Sequence, residues 1–338
     1  MCGRMVRRPT ALAALLCALA FARPPAAQAG RLSEARAENR RQETDKAVDQ
    51  IISGQGVQGA ISRILYLGNQ AYATAVMARA LERYPDTHTK QNIAFAFSLL
   101  GAKNGEQPLY NLVRDEDAGV RMNALQALTK LHSADAKRIG PLLKDKNMGV
   151  RREAARALGA AHRAQDSQLL MNAARAEDEP EVRAAMLIAA GDTGDKKQVR
   201  TLEGFLKSSS ESTRFAATQA LCRLGAPSGF QLAHKLLSSS DRWERRHGLA
   251  LFEGARAKDA DKMLRPMLRD PDPAVAATAA RILYQGGDEK MLDWLVVTSA
   301  KSGTEARLAY ETELEQLHLA DDRRQQILAR AGIKAPTR

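Results

Sequence analysis

Val150-Arg151-Arg152-Glu153-Ala154-Ala155-Arg156-Ala157-Leu158 recurs along this chain in altered form. It returns as Val120-Arg121 to Leu128, Val182-Arg183 to Ala190 and Thr213-Arg214 to Leu221, and continues at Trp243 and Val275. The pattern weakens at Ala306-Arg307 and extends back to Thr89-Lys90 and faintly to Val57. Successive starts lie 30 to 32 residues apart, a spacing that belongs to stacked supersecondary units rather than to one globular core. Within a unit, positions such as 120, 124, 127, 128 and 131 share one face of a helix. No alternating strand pattern competes, so the fold class is all-α.

Two columns describe the stack. The one equivalent to Leu128 reads Leu65, Phe97, Leu128, Leu158, Ala190, Leu221, Leu251, Leu283 and Leu314. Its neighbour holds Ala96, Ala127, Ala157, Ala189, Ala220 and Ala250, with Ile64 and Ile282 near its ends, and lets adjacent helices approach closely. Start signals precede these second helices at Asp86, Asp117, Asn147, Ser210, Ser240 and Asp272, each able to accept a bond from an orphan N–H. Pro180 and Pro273 stand in the first turn, where proline is tolerated. Shorter first helices are predicted over 107–113, 136–143, 198–206, 228–237 and 261–268. One unit buries about six aliphatic side chains at about 1.5 to 3 kcal/mol each. Ordering some thirty residues opposes this by about 1 to 2 kcal/mol per residue, so a lone unit does not fold and neighbours share faces.

The Asp-x-x-x-Val-Arg-x-x-Ala-x-x-Ala-Leu pattern, from Asp145/Asn147 to Leu158 and from Asp272 to Leu283, resembles the short HEAT-like repeats first noted in phycobilisome lyase subunits. That family has the armadillo-type helical fold. The resemblance runs over roughly 55–320 and is strongest over 115–285. It implies a right-handed α-α superhelix of about nine helix pairs, with the second helices on the concave side. Tetratricopeptide repeats fit less well, because their period and Trp-Leu-Gly-Tyr pattern are absent.

The opening residues read as an export signal: Arg4, Arg7 and Arg8, the apolar run Ala11 to Ala22, then Ala27-Gln28-Ala29 before Gly30. The run is too short to span a bilayer, so cleavage near Ala29 predicts a periplasmic or secreted protein. Residues 1–29 are read as signal peptide, 30–53 as a charged helix or linker, 54–331 as the solenoid and 332–338 as a flexible tail. Removing the signal takes Lys+Arg from 51 to 47 against 39 Asp+Glu, a net charge of about +8. It also removes Cys2 and Cys17, leaving Cys222 as a small apolar filler with no intramolecular partner.

Candidate sites are weighed on this frame. Lys90, Arg121, Arg151, Arg183, Arg214 and Arg307 form a basic column in the first turn of the second helices. A cation there opposes the helix dipole and needs an acceptor. The resemblance implies a structural ladder with acidic or amide groups at helix starts, and Asp117 and Asn147 are placed for it. Metal and cofactor are not expected: no two histidines share a helix face, and the His-Glu pairs that hold iron in HEAT-like hydroxylases do not occur. His132 and His162, one repeat apart, are expected on loop tips about 10 Å from each other. No phosphate loop is present either. Opposite the core face stand Phe215, Cys222, Arg223, Arg245, Leu249, Phe252, Arg281 and Tyr284, with Arg246 at the edge. Apolar groups beside arginines where solvent is expected are the composition of a protein interface. The function read here is a non-catalytic, monomeric scaffold that binds a protein partner, with nucleic acid not expected. A lyase- or hydroxylase-type enzyme and a basic polyanion-binding module are the alternatives.

Overall fold

The computed structural model describes residues 26–101 and 103–333. The export signal's basic and apolar parts, Cys2, Cys17 and residues 334–338 lie outside the described residues; Ala27 to Ala29 fall in the first turn of a helix, Ala26–Ser53. The described elements are helices, without strands among them. The chain divides into two compact units, one ending at Ala96 and the other beginning at Phe97.

In the first unit the charged segment forms the helix Ala26–Ser53, which buries Thr44, Ala47, Val48 and Ile51. These pack with the helices Val57–Leu67 and Gln70–Arg83, which bury Ile61, Ile64, Ala73 and Met77. Leu65 does not join the core column expected of it and is 42% exposed. The helix starts directly after Gly56 in the left-handed region (φ 60°), and its buried stripe runs through Ala60, Ile61 and Ile64, which turns Leu65 outward.

From Thr87 onward one register repeats. The second helices are Thr87–Leu100, Ala118–Lys130, Met148–Ala160, Pro180–Asp192, Glu211–Arg223, Arg242–Ala250, Pro273–Gln285 and Thr304–Glu315. Side chains cap most of them: Asp86 accepts from the Thr89 N–H, Asp117 from Val120, Asn147 from Gly149 and Val150, Ser210 from Thr213 and Asp272 from Ala274. The exception to the expected set is Ser240. Asp241 caps instead, accepting from the Trp243 N–H at 2.6 Å. This moves the register of that repeat by one residue. Counted from the cap, the core column becomes Phe97, Leu128, Leu158, Ala190, Leu221, Phe252, Leu283 and Leu314, all buried.

The first helices run antiparallel partners to these. Two of the predicted ones, at 136–143 and 261–268, are split: Ala136–Ile139 and Ala257–Leu264 each give way to a 3₁₀ turn, Gly140–Lys144 and Pro266–Arg269. Pro141 and Pro266 supply no N–H for a continuing α-helix, so the chain tightens there.

The small-residue column fixes how closely second helices pass. A Cβ on Gly159 would lie 2.9 Å from Ala189 Cα, and one on Gly191 would lie 2.7 Å from Ala220 Cα. Backbones therefore meet backbones across the three helices that carry these residues. Most of these helices end in a left-handed residue at one repeating position, filled by Gly101, His132, His162, Gly194, Gly225, Gly287 and His318. Glycine takes that conformation freely, and histidine is among the few other types enriched in it.

Candidate functional site

The basic column holds the loops of the stack. Four residues after its cap, each arginine reaches back over the turn that precedes its own helix. Arg121 Nη1 donates to the carbonyls of Asp115 and Glu116 (2.8 and 2.9 Å), and Arg214 Nη1 donates to those of Ser208 and Ser209 (2.8 and 2.9 Å). Arg183 donates to Glu177 O, and Arg307 to the carbonyls of Ser299, Ala300 and Ser302. A lateral rung joins some repeats: Arg121 to Asp145 at 2.8 Å, and Arg151 to both oxygens of Glu177 at 2.7 and 2.9 Å. The lateral acceptors of Arg121 and Arg151 are thus Asp145 and Glu177, on the loop before the next cap, while Asp117 and Asn147 accept from backbone N–H groups as caps. Burial alone would raise Glu177, but the bonds from Arg151 and the Glu179 N–H, with the charges of Arg151 and Arg183, hold it below its ordinary value.

Arg245 belongs to this ladder rather than to an exposed face. It lies four residues after Asp241, grips Asp270 with two bonds of 2.7 and 2.8 Å, and donates to the carbonyls of Ser239 and Ser240. The same one-residue shift buries Leu249 and Phe252 completely, Phe252 stacking on Phe230 with centroids 5.9 Å apart. Arg281 is also internal: it is bonded to Glu253, Glu313 and Gln285, while Thr278 donates to Glu313 at 2.7 Å. Arg223 is half-buried between Glu253 O (2.6 Å) and the Asp192 carboxylate. Phe215 and Tyr284 are half-buried too, Phe215 stacking on His247 at 4.6 Å. Cys222 is buried, and burial pushes its thiol up to about 12. Of the side chains expected on the open face, Arg246 alone is exposed. An internal second helix such as Pro180–Asp192 packs on Met148–Ala160 on one side and on Glu211–Arg223 on the other, so the face opposite one neighbour is the contact face of the next.

What does stand in solvent is Trp243, 61% exposed, which the repeat spacing had placed at a core position. Arg242 and Arg246, one helical turn apart, lie over its indole with guanidinium carbons 5.2 and 5.3 Å from the ring centre. Beside Arg242 opens a cleft of about 560 Å³ between the starts of three successive second helices, lined by Arg242, Pro271, Pro273, Glu305, Ala306 and Ala309 among others. The sequence offered Ser240 and Asp241 as equally good caps, so nothing in it separated the two registers.

His132 and His162 lie nearer than expected, their rings stacked with centroids 6.5 Å apart. Each Nδ1 meets a carbonyl at the end of the next second helix, Ala160 O at 3.0 Å and Asp192 O at 2.8 Å. Among the described residues no group of three or more His, Cys, Asp or Glu is arranged to hold a metal ion.

Paired antiparallel helices, capped in one register and laddered by arginine, define a helical-repeat protein. Residues 167–252 match the family of HEAT repeats. Over those residues the chain carries HEAT-like repeats. Among solved structures, the CpcE–CpcF complex of phycocyanin lyase from Nostoc sp. PCC7120 is 17% identical, with a TM-score of 0.49, over 72% of this chain and 94% of that one. An archaeal HEAT-like repeat protein from Thermococcus onnurineus NA1 is 14% identical, with a TM-score of 0.34, over 74% and 98%. An engineered protein is 18% identical, with a TM-score of 0.38, over 67% and 70%. No curated protein matches the chain.

Proposed function

We propose that this chain is exported, loses its leader near Ala29, and serves in the cell envelope as a scaffold that binds a protein partner and is not itself a catalyst. The export part rests on the order of Arg4 to Arg8, the apolar run and the Ala27-Gln28-Ala29 site. No helix among the described residues is long and apolar enough to cross a membrane. The binding part rests on one observation: a tryptophan in solvent, clasped by two arginines beside a cleft. Tryptophan and arginine dominate the residues that carry binding energy at protein interfaces. Groups with reactive potential are engaged elsewhere, Cys222 as a buried, unionised thiol and His132 and His162 through their Nδ1 atoms.

Capture from envelope extract with the protein from Gly30 onward tests the reading. Trp243→Ala is expected to lose the captured partner while leaving the melting temperature within a degree or two, because an exposed side chain adds little to folding. Undiminished capture by that variant would remove the site, and a mature N-terminus at Met1 would remove export.

A further inference from the structure

The chemistry of the partner follows from how the charges around Trp243 are already used, and it rests on the scaffold reading above. Three nearby acids serve the fold. Asp241 and Asp272 accept from the N–H groups of Trp243 and Ala274 as helix caps, and Asp270 is held by both arms of Arg245. Arg242 is left 3.9 Å from the capping Asp272 with 62% of its side chain exposed. Arg246 is exposed and has no carboxylate partner among the described residues. Both guanidinium carbons lie over the indole, 5.2 and 5.3 Å from its centre, and the exposed N–H groups of these side chains suit a carboxylate. Four residues apart on one helix, the two arginines are neighbours, whereas Glu244, two residues from each, faces elsewhere. Pro271, Pro273, Ala306 and Ala309 line the adjoining cleft together with the carboxylates of Asp272 and Glu305.

We infer that this surface takes an acidic segment of a protein partner, whose carboxylates pair with Arg242 and Arg246 while an adjacent apolar side chain enters the cleft. Asp272 and Glu305 both line the cleft and repel carboxylates from it, so the acids of the segment sit at the arginines and its apolar residue enters the cleft. A single-stranded nucleic acid fits less well. It asks for a basic track with several stacking rings, and here the carboxylates of Asp272 and Glu305 line the adjoining cleft.

The test uses the full mature chain and three labelled probes read by fluorescence anisotropy: a synthetic peptide with Asp and Glu around a central Leu, its Lys-substituted counterpart, and oligo-dT. Wild type should bind the acidic peptide alone. Arg242→Glu/Arg246→Glu should weaken that binding roughly tenfold or more, retain the wild-type melting temperature, and acquire binding to the Lys peptide. Preference of wild type for the Lys peptide or for oligo-dT would overturn the inference. So would partner capture from extract that depends on Trp243 but is unchanged by the double reversal, and in that case the scaffold reading would survive. Loss of both peptide binding and extract capture in wild type would sink the two together.

Discussion

The helices Met148–Ala160, Pro180–Asp192 and Glu211–Arg223 pack by contact of small residues, whereas Arg242–Ala250, Pro273–Gln285 and Thr304–Glu315 pack around buried charge. In the first group the close-approach column is Ala157, Ala189 and Ala220, and Gly159 and Gly191 bring backbones together. In the second the same column reads Leu251, Ile282 and Glu313, and Arg281 bridges Glu253 and Glu313. One register thus supports two solutions. Dispersion between small residues tolerates no added atom, and an ion network tolerates no missing partner. The second group is also the one that presents Trp243.

The largest expected effect lies in the ionic group. Arg281→Leu leaves Glu313 buried without its cation and should lower unfolding free energy by about 3 kcal/mol or more, measured by urea titration. Arg245→Glu should act in the same direction, since Asp270 would then face another carboxylate. Wild-type stability in both variants would show that the charges are not the glue of these repeats.

In the small-residue group, Gly191→Ala should destabilise by about 1 to 3 kcal/mol, because the new methyl would meet Ala220 at backbone distance. Gly204→Ala sharpens the contrast. That glycine is helical and a Cβ there meets nothing within 4 Å, so a gain of about 0.4 to 1 kcal/mol is expected.

Acid should act on two carboxyls in opposite senses. Glu177 is held below 4.5 in the folded chain, so its contribution is present above that value and is lost as pH falls through its folded pKa. Asp192 is raised above 3.8 by burial, against the opposing charges of Arg223 and His162 and the bond from Arg223. Its protonation favours the fold, a contribution present below 3.8 and lost as pH rises through the folded value. Glu177→Gln should therefore flatten the acid loss of stability in a pH series of melts, and Asp192→Asn should steepen it. Matching slopes for the two variants would contradict the assignment.

The smallest expected effect is none. Cys222 is buried in its own chain, and reductant should leave the melting temperature of the chain from Gly30 unchanged.

Period, helix class, most caps and the core column from Phe97 onward, except Phe252 where Leu251 was expected, were legible in the residues, because each depends on spacing within one helix and on groups three residues from a cap. The arginine column was legible as well, and its need for acceptors followed from the helix dipole. The acceptors themselves were not, since Asp145, Glu177 and Asp270 come from the next repeat and only the stack brings them within 3 Å. The open face was misread for a local reason and a global one. Ser240 and Asp241 are both competent caps, and choosing between them turns every following side chain by about 100°. That turn carries Arg245 and Phe252 inward and Trp243 and Arg246 outward. Globally, a helix with neighbours on two sides buries two stripes, so apolar residues opposite the first core face signal the second neighbour and not a vacant surface. Sequence determined which residues form the repeating unit; which of them solvent reaches was decided by packing between units, where the free energy of burial is shared.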